Sequence, residues 1–310
     1  MIDLSRRHFV GTCSLGTVAL LSGCGGAAAP ARSARTTVTY EFIRNATARL
    51  SYAGMTLLLD PMLSSKGALQ SFAGIAPNPT VDLPKPAEEI IAGIDGVIVS
   101  HMHSDHFDPA ATAMLPKDIP MVTPDNSYTP NRGPDDPRLA FKDDLENRGF
   151  TNVSTMSDAG PTQFGAVTLH QVWGLHGRGQ LGVVLGNVNG IVLEAEGSPT
   201  IYWAGDSILD EDEVGAILER FRPDIVIAHT GGPIVEALSP EIMLMDAAQA
   251  VRTMEMAKAF NADVKLVAVH MESLDHCFST REDLREAIAN LDADTRGRFY
   301  IPADGETLQL

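Results

Sequence analysis

Cysteine is nearly absent from this chain of 310 residues: Cys13, Cys24 and Cys277 are the only three. Two of them sit in the N-terminal segment, so no internal pair suggests a disulfide framework. Basic residues are scarce as well, with 23 Lys and Arg against 40 Asp and Glu, and none cluster after Arg6-Arg7. The resulting net charge of −17 would repel a polyanion, which excludes nucleic acid as a partner. The apolar run Val10 to Leu21 falls short of the roughly 20 residues that a spanning helix needs. No self-similar period of about 20–50 residues recurs, which excludes a solenoid. Neither a Ser-His-Asp arrangement nor a glycine-rich phosphate loop stands out, so chemistry must come from another constellation.

What is present points to a globular protein. Hydrophobic residues make up 44% and charged residues 20%, and the length suits one large two-layer domain. At the N-terminus, Ser5-Arg6-Arg7-His8-Phe9-Val10 resembles a twin-arginine translocation signal, and Leu21-Ser22-Gly23-Cys24 resembles a lipobox. Gly11, Gly16, Gly23, Gly25 and Gly26 argue against a buried helix there. The expectation is a signal peptide over 1–23, a Gly/Ala/Pro/Ser tether over 24–35 and a folded domain over 36–310. Export through the twin-arginine pathway to the periplasmic side follows, with membrane attachment only through a lipid on Cys24.

Three β-rich runs, Thr37 to Ile43, Ala48 to Tyr52 and Met55 to Asp60, read as an antiparallel meander. Pro61 to Pro86 is rich in Pro, Gly and Ser and reads as a long loop or lid. Gly96 to Ser100 is an apolar strand that ends directly at His101. A helix over Pro109 to Leu115, a strand over Pro120 to Thr123 and a helix near Asp143 to Arg148 follow. The second half predicts strands at Val167 to Trp173, Gly182 to Gly186, Gly190 to Glu194, Thr200 to Trp203, Asp224 to Ala228 and Val264 to Val269. Helices are predicted over Glu211 to Phe221, Pro240 to Phe260 and Arg281 to Asn290. This order fits two mixed sheets with helices outside, an αββα sandwich.

His101-Met102-His103-Ser104-Asp105-His106 places imidazoles at i and i+2, which share one side of an extended chain but not of a helix. The segment must therefore be extended or looped to chelate. Imidazole and carboxylate suit zinc, and also iron, cobalt or manganese. Four ligand-capable side chains in six residues form a strong signal for a metal site.

The motif, with Leu59-Asp60-Pro61 before it and Ala204-Gly205-Asp206-Ser207 after it, resembles the metallo-β-lactamase hydrolase superfamily over residues 36–310. Thr200 to Asp206, Gly231-Gly232 and Val267 to His270 are similar to the branch that includes L-ascorbate-6-phosphate lactonase. The resemblance implies two divalent ions, Zn²⁺ with Mn²⁺ or Fe²⁺ as alternatives. It assigns His101, His103 and His176 to one ion, Asp105, His106 and His270 to the other, and Asp206 to the bridge. His170, inside a strand, competes with His176 for the third ligand position. The glycine-bounded loop around His176 favours the latter.

The implied activity is hydrolysis of a small ester or lactone by a hydroxide shared between the ions, with Asp105 orienting it and taking its proton. Asp206, where zinc β-lactamases often carry cysteine at a metal-two position, argues against antibiotic hydrolysis. His276, six residues after His270, reads as facing substrate or as a support behind the ligands, and Glu272 could serve either role. His229 departs from the likeness, and both substrate contact and a structural hydrogen bond remain open for it. Cys277 reads as a small buried residue. The competing functions are a phosphodiesterase of the same fold and a non-hydrolytic iron or zinc protein, either a dioxygenase or a binding lipoprotein. Diiron flavoprotein relatives usually carry Glu at the place of His103, which favours hydrolysis.

Overall fold

In the first half of the chain, β1 (Thr39–Arg44), β2 (Thr47–Tyr52) and β3 (Met55–Leu59) form the expected antiparallel meander. A computed structural model describes residues 36–126 and 140–310, so the signal and tether segments with Arg6, Arg7 and Cys24 lie outside the described residues. After α1 (Ala87–Ile91) the chain enters β4 (Gly96–Ile98), and after α2 (Pro109–Met114) it enters β5 (Met121–Thr123). Then come α3 (Phe141–Asn147) and β6 (Val153–Thr155). Strands β3 to β6 pair in parallel.

The second half runs β7 (Thr162–Phe164), β8 (Val167–Val172), α4 (Gly179–Leu185), β9 (Gly190–Glu194), β10 (Ile201–Trp203) and α5 (Glu211–Phe221). It continues through β11 (Ile225–His229), α6 (Ala247–Phe260), β12 (Lys265–Val269), α7 (Arg281–Ile288), α8 (Ala293–Arg296) and β13 (Phe299–Tyr300). Strand β14 (Thr307–Gln309) returns to pair with β1. The two sheets have seven strands each, ordered β14-β1-β2-β3-β4-β5-β6 and β13-β12-β11-β10-β9-β8-β7.

Period-two alternation decides which side chains fill which layer. Leu57 and Leu59 of β3 share a core between the sheets with Leu169 of β8, Ile191 and Leu193 of β9, Trp203 of β10 and Ile227 of β11. Leu58, on the opposite face, packs with Ile90, Val97, Phe107 and Ala111 under α1 and α2. On the second sheet Val226, Ala228, Leu266 and Ala268 face Leu218, Met254 and Leu284 of α5, α6 and α7. The αββα sandwich follows, because each sheet must bury two apolar faces. No helix among the described residues is long and apolar enough to cross a membrane.

The parallel strands carry the site at their C-terminal ends. Asp60 follows β3, Ser100 and His101 follow β4, Asp206 follows β10, His229 ends β11 and His270 follows β12.

Two sequence expectations are corrected. Gly182 to Gly186 belongs to helix α4 and not to a strand, although Val183 and Val184 favour strand locally. Strand β9 already pairs with β8 and β10, so no edge is open to receive another strand there. Gly186 at φ +86° then ends the helix in a conformation few other residues adopt. The helix expected from Pro240 begins only at Ala247, where the Asp246 side chain accepts from Gln249 N at 2.9 Å. The short strands β6, β7, β13 and β14 lie at or near sheet edges and were not foreseen.

The loop over 61–86 is a tied wall. Arg44, fully buried, donates to the carbonyls of Val81 at 2.9 Å, Met62 at 3.3 Å and Ser64. The Asp275 carboxylate accepts from the backbone N–H groups of Phe72, Ala73, Ile75 and Ala76, from Asn78 Nδ2 at 2.8 Å and from the Ser71 hydroxyl. These bonds hold that carboxyl well below the usual carboxylate range, against the opposing effect of burial.

Candidate metal centre

The loop from Ser100 to His106 hangs at the mouth of β4, and its side chains converge with residues from four other elements. Within it, His106 N and Phe107 N both bond to the carbonyl of His103, at 3.0 and 2.9 Å, curling the chain into a tight turn. Two nests of donor atoms result. His101, His103 and His176 form one, and His106, Asp206, His229 and His270 form the other, the chosen atoms of each lying within 4.8 Å of one another.

Hydrogen bonds from the second ring nitrogen fix which atom of each histidine is free. His101 Nδ1 donates to Ser100 Oγ at 3.0 Å, and Ser100 Oγ donates on to Asp60 Oδ2 at 2.6 Å. His103 Nε2 donates to the Leu185 carbonyl at 3.0 Å, leaving Nδ1 facing His101 Nε2 at 3.0 Å. His176 Nδ1 donates to the Met243 carbonyl at 2.9 Å. His106 Nδ1 donates to Asp60 Oδ2 at 2.7 Å. His270 Nδ1 has only the Cys277 sulfur, at 3.6 Å. The free set is therefore Nε2 of His101, His106, His176 and His270 together with Nδ1 of His103.

The donor set fits divalent cations. His106 Nε2 and His270 Nε2 lie 3.2 Å apart, and both also approach carboxylates. Lone pairs aimed at one point repel unless a cation lies between them. In the first nest burial dominates: it holds His101 well below its ordinary value, lowers His103, and brings His176 down to about 4. Those imidazoles are neutral, as ligation requires. In the second nest burial opposes charging, but Asp206, Asp105 and Asp60 outweigh it and push His106 up to about 10. His270 is likewise raised well above its ordinary value, with Asp206 prevailing over burial. The carboxylates Asp105 and Asp206 stay well below the usual range because the His106 and His270 imidazoles outweigh burial. A nest that draws protons onto its histidines this strongly is one that favours a cation.

Asp206 spans both nests through one oxygen. Its Oδ2 lies 3.1 Å from His106 Nε2, 3.7 Å from His176 Nε2 and 3.9 Å from His101 Nε2. Its Oδ1 lies 3.5 Å from His270 Nε2, in the second nest. Asp105 Oδ2 lies 3.3 Å from His270 Nε2 and 3.6 Å from His106 Nε2. The seven residues expected to ligate thus meet in one place. His170 does not join them: it lies on β8 and pairs with Glu194 Oε2 of β9 at 2.7 Å.

His270 and Glu272 both have φ of +63°, a conformation that costs a non-glycine residue on the order of 1–3 kcal/mol and clusters at functional sites. Packing supports it. A Cβ on Gly231 would lie 2.0 Å from the His270 carbonyl oxygen, so only glycine lets the β11 loop approach.

Of the three expected substrate contacts, His276 alone lines the cavity beside the nests. It is 8% exposed, its Nδ1 has no partner, and Phe72 meets its ring edge-on at 5.1 Å. Glu272 is corrected: its carboxylate is taken by the Arg281 guanidinium and by Arg281 N at 3.1 Å. For His229, of the two readings left open, the geometry fits the structural hydrogen bond: the ring is fully buried with both nitrogens bonded, to Trp203 and to Asp206. Sequence reasoning missed Asp60, Ser100 and Asn45 as supports, the last donating to the Asp105 carbonyl at 2.8 Å. A carboxylate closing β3 was the one visible signal. The carbonyls of Leu185 and Met243 carried none.

Two seven-stranded sheets with a His- and Asp-rich centre at one end define a metal-dependent hydrolase of the metallo-β-lactamase fold. The beta-lactamase superfamily domain family matches residues 55–271, and the chain belongs to the metallo-β-lactamase superfamily, within the UPF0173 metal-dependent hydrolase family. It is 31% identical over 270 residues to UPF0173 protein YddR of Bacillus subtilis (strain 168), covering 86% of this chain and 97% of that one. An isothiocyanate hydrolase from Delia radicum gut bacteria is 34% identical with a TM-score of 0.74, covering 87% of this chain and 98% of that one. A possible metal-dependent hydrolase from Veillonella parvula DSM 2008 is 27% identical with a TM-score of 0.76, covering 89% and 100%.

Proposed function

We propose that this chain is an exported hydrolase that holds two divalent cations and adds water to a small uncharged electrophile with an apolar substituent. An isothiocyanate is the first choice and an uncharged ester or lactone the second. The carrying observation is the cavity of about 330 Å³ beside both nests. Phe72, Leu185, Val235, Leu238 and Met243 form its apolar wall, and among the described residues no Arg or Lys lines it. A phosphate remote from the reacting bond would find no cationic side chain there, which disfavours a phosphorylated lactone. The likeness to the isothiocyanate hydrolase supports the choice of electrophile.

Bound cations would supply Lewis acidity and a water acidic near neutral pH. His101, His103 and His176 would hold one, Asp105, His106 and His270 the other, with Asp206 shared. Zinc suits this donor set, and manganese or iron fits it as well. Asp105, at the cavity edge, accepts the proton of the attacking water. His276 offers a ring N–H to the substrate heteroatom on which charge develops. The apolar wall excludes bulk water and seats the substituent.

The test is a panel of alkyl and aryl isothiocyanates, uncharged lactones and esters, and bis-nitrophenyl phosphate, each with zinc-, manganese- and iron-loaded protein. Uncharged electrophiles are expected to turn over fastest. Faster cleavage of the phosphodiester would replace this reading, and hydrolysis of nothing alongside oxygen consumption would favour a non-hydrolytic iron protein.

Export by the twin-arginine route with a lipid on Cys24 is part of the proposal, supported by the order of the two motifs. Replacing Arg6 and Arg7 by Lys is expected to leave precursor in the cytoplasm, and Cys24→Ala to prevent membrane attachment. Normal processing and membrane location in both variants would refute it.

A further inference from the structure

Two hydrogen bonds occupy both ring nitrogens of His229. Trp203 Nε1, which can only donate, points at His229 Nε2 at 2.9 Å. Nε2 must therefore accept, which places the ring proton on Nδ1, 2.6 Å from Asp206 Oδ1. All three residues are buried, at 1%, 0% and 2% exposure. Strands β10 and β11 are parallel neighbours with Trp203 opposite Ile227, so His229, two residues on, shares the face of Ile227. The pairing thus brings indole, imidazole and carboxylate into line at the end of both strands.

We propose that His229 is a positioning residue: with Trp203 it clamps Asp206 Oδ1, so that Oδ2 is the oxygen shared between the cation nests, and it is not itself a ligand. The clamp ties one carboxylate oxygen and leaves the other beside His106, His176 and His101. A carboxylate free to rotate would offer both oxygens to one ion and would bridge less well. Although His229 lies in the second nest, it could ligate an ion there only by giving up its bond to Asp206, since its other nitrogen is held by the indole. The inference rests on the two-cation reading above.

The experiment measures zinc stoichiometry and affinity, by elemental analysis and calorimetry with zinc alone, for wild type, His229→Phe, His229→Asn and Trp203→Phe. Wild type is expected to take two equivalents. His229→Phe should keep the equivalent held by His101, His103 and His176 and weaken the second about 10–100-fold. His229→Asn, whose amide N–H can stand in for Nδ1–H, should recover affinity to within a few-fold. Trp203→Phe frees the ring to take the other tautomer and should fall between these. Native circular dichroism is required of each variant, and two conservative changes keep the test decisive if His229→Phe does not fold. Two equivalents at wild-type affinity in His229→Phe overturns the clamp. Loss of the second ion in His229→Asn as complete as in His229→Phe also overturns it and makes His229 a ligand. Fewer than two equivalents in wild type removes the two-cation reading instead.

Discussion

Asp105→Asn is expected to lower turnover by about 10²–10⁴-fold on whichever substrate the panel identifies, the range that loss of a positioned proton acceptor produces. The side chain lines the cavity and is 6% exposed, yet it stays ionised because His106 and His270 outweigh the effect of burial. An amide keeps the shape and one oxygen but cannot take a proton. Asn45 anchors the Asp105 carbonyl from below, so the backbone position should survive the substitution. Turnover and metal content are measured together. A variant that keeps its metal and retains more than a tenth of wild-type turnover would remove Asp105 from proton transfer. A variant that loses the second ion with its activity would make ligation its main task.

The second large effect is expected from the metal. Wild-type protein should hold two divalent ions per chain, and chelation should lower its melting temperature on the order of 10 °C. The size follows from linkage: a ligand at a thousand times its dissociation constant stabilises the folded state by about 4 kcal/mol, and a domain of this size shifts by a few degrees per kcal/mol. The physical cause lies in the two nests, where buried imidazole nitrogens 3.0 and 3.2 Å from their neighbours would be left without a cation to hold them together. His103→Ala removes one ligand from the first nest alone, and elemental analysis should then find one ion. Two ions in that variant, or an unchanged melting temperature after chelation, would be incompatible with this centre.

The particular residues show how far local pattern reaches. The meander from β1 to β3 and the strand leading to His101 were legible because apolar alternation and turn residues are local properties. The layer order followed, since strands with two apolar faces must be covered on both. Helix α4 was misread because Val183 and Val184 favour strand locally, while the filled edges of β9 refuse one. Nothing in the segment itself records that refusal.

The sequence by itself determined the donor types: four in the run from His101 to His106, and further ones placed after strands at His176, Asp206 and His270. It determined them because ligand chemistry belongs to the side chain and spacing belongs to the chain. Only the tertiary structure decided how each donor is aimed. The free nitrogen of His103 depends on a carbonyl 82 residues away, that of His106 on Asp60, and the direction of Asp206 on an imidazole and an indole from two paired strands. Tautomer and rotamer are set by hydrogen-bond partners, and those partners become neighbours only when the sheets close.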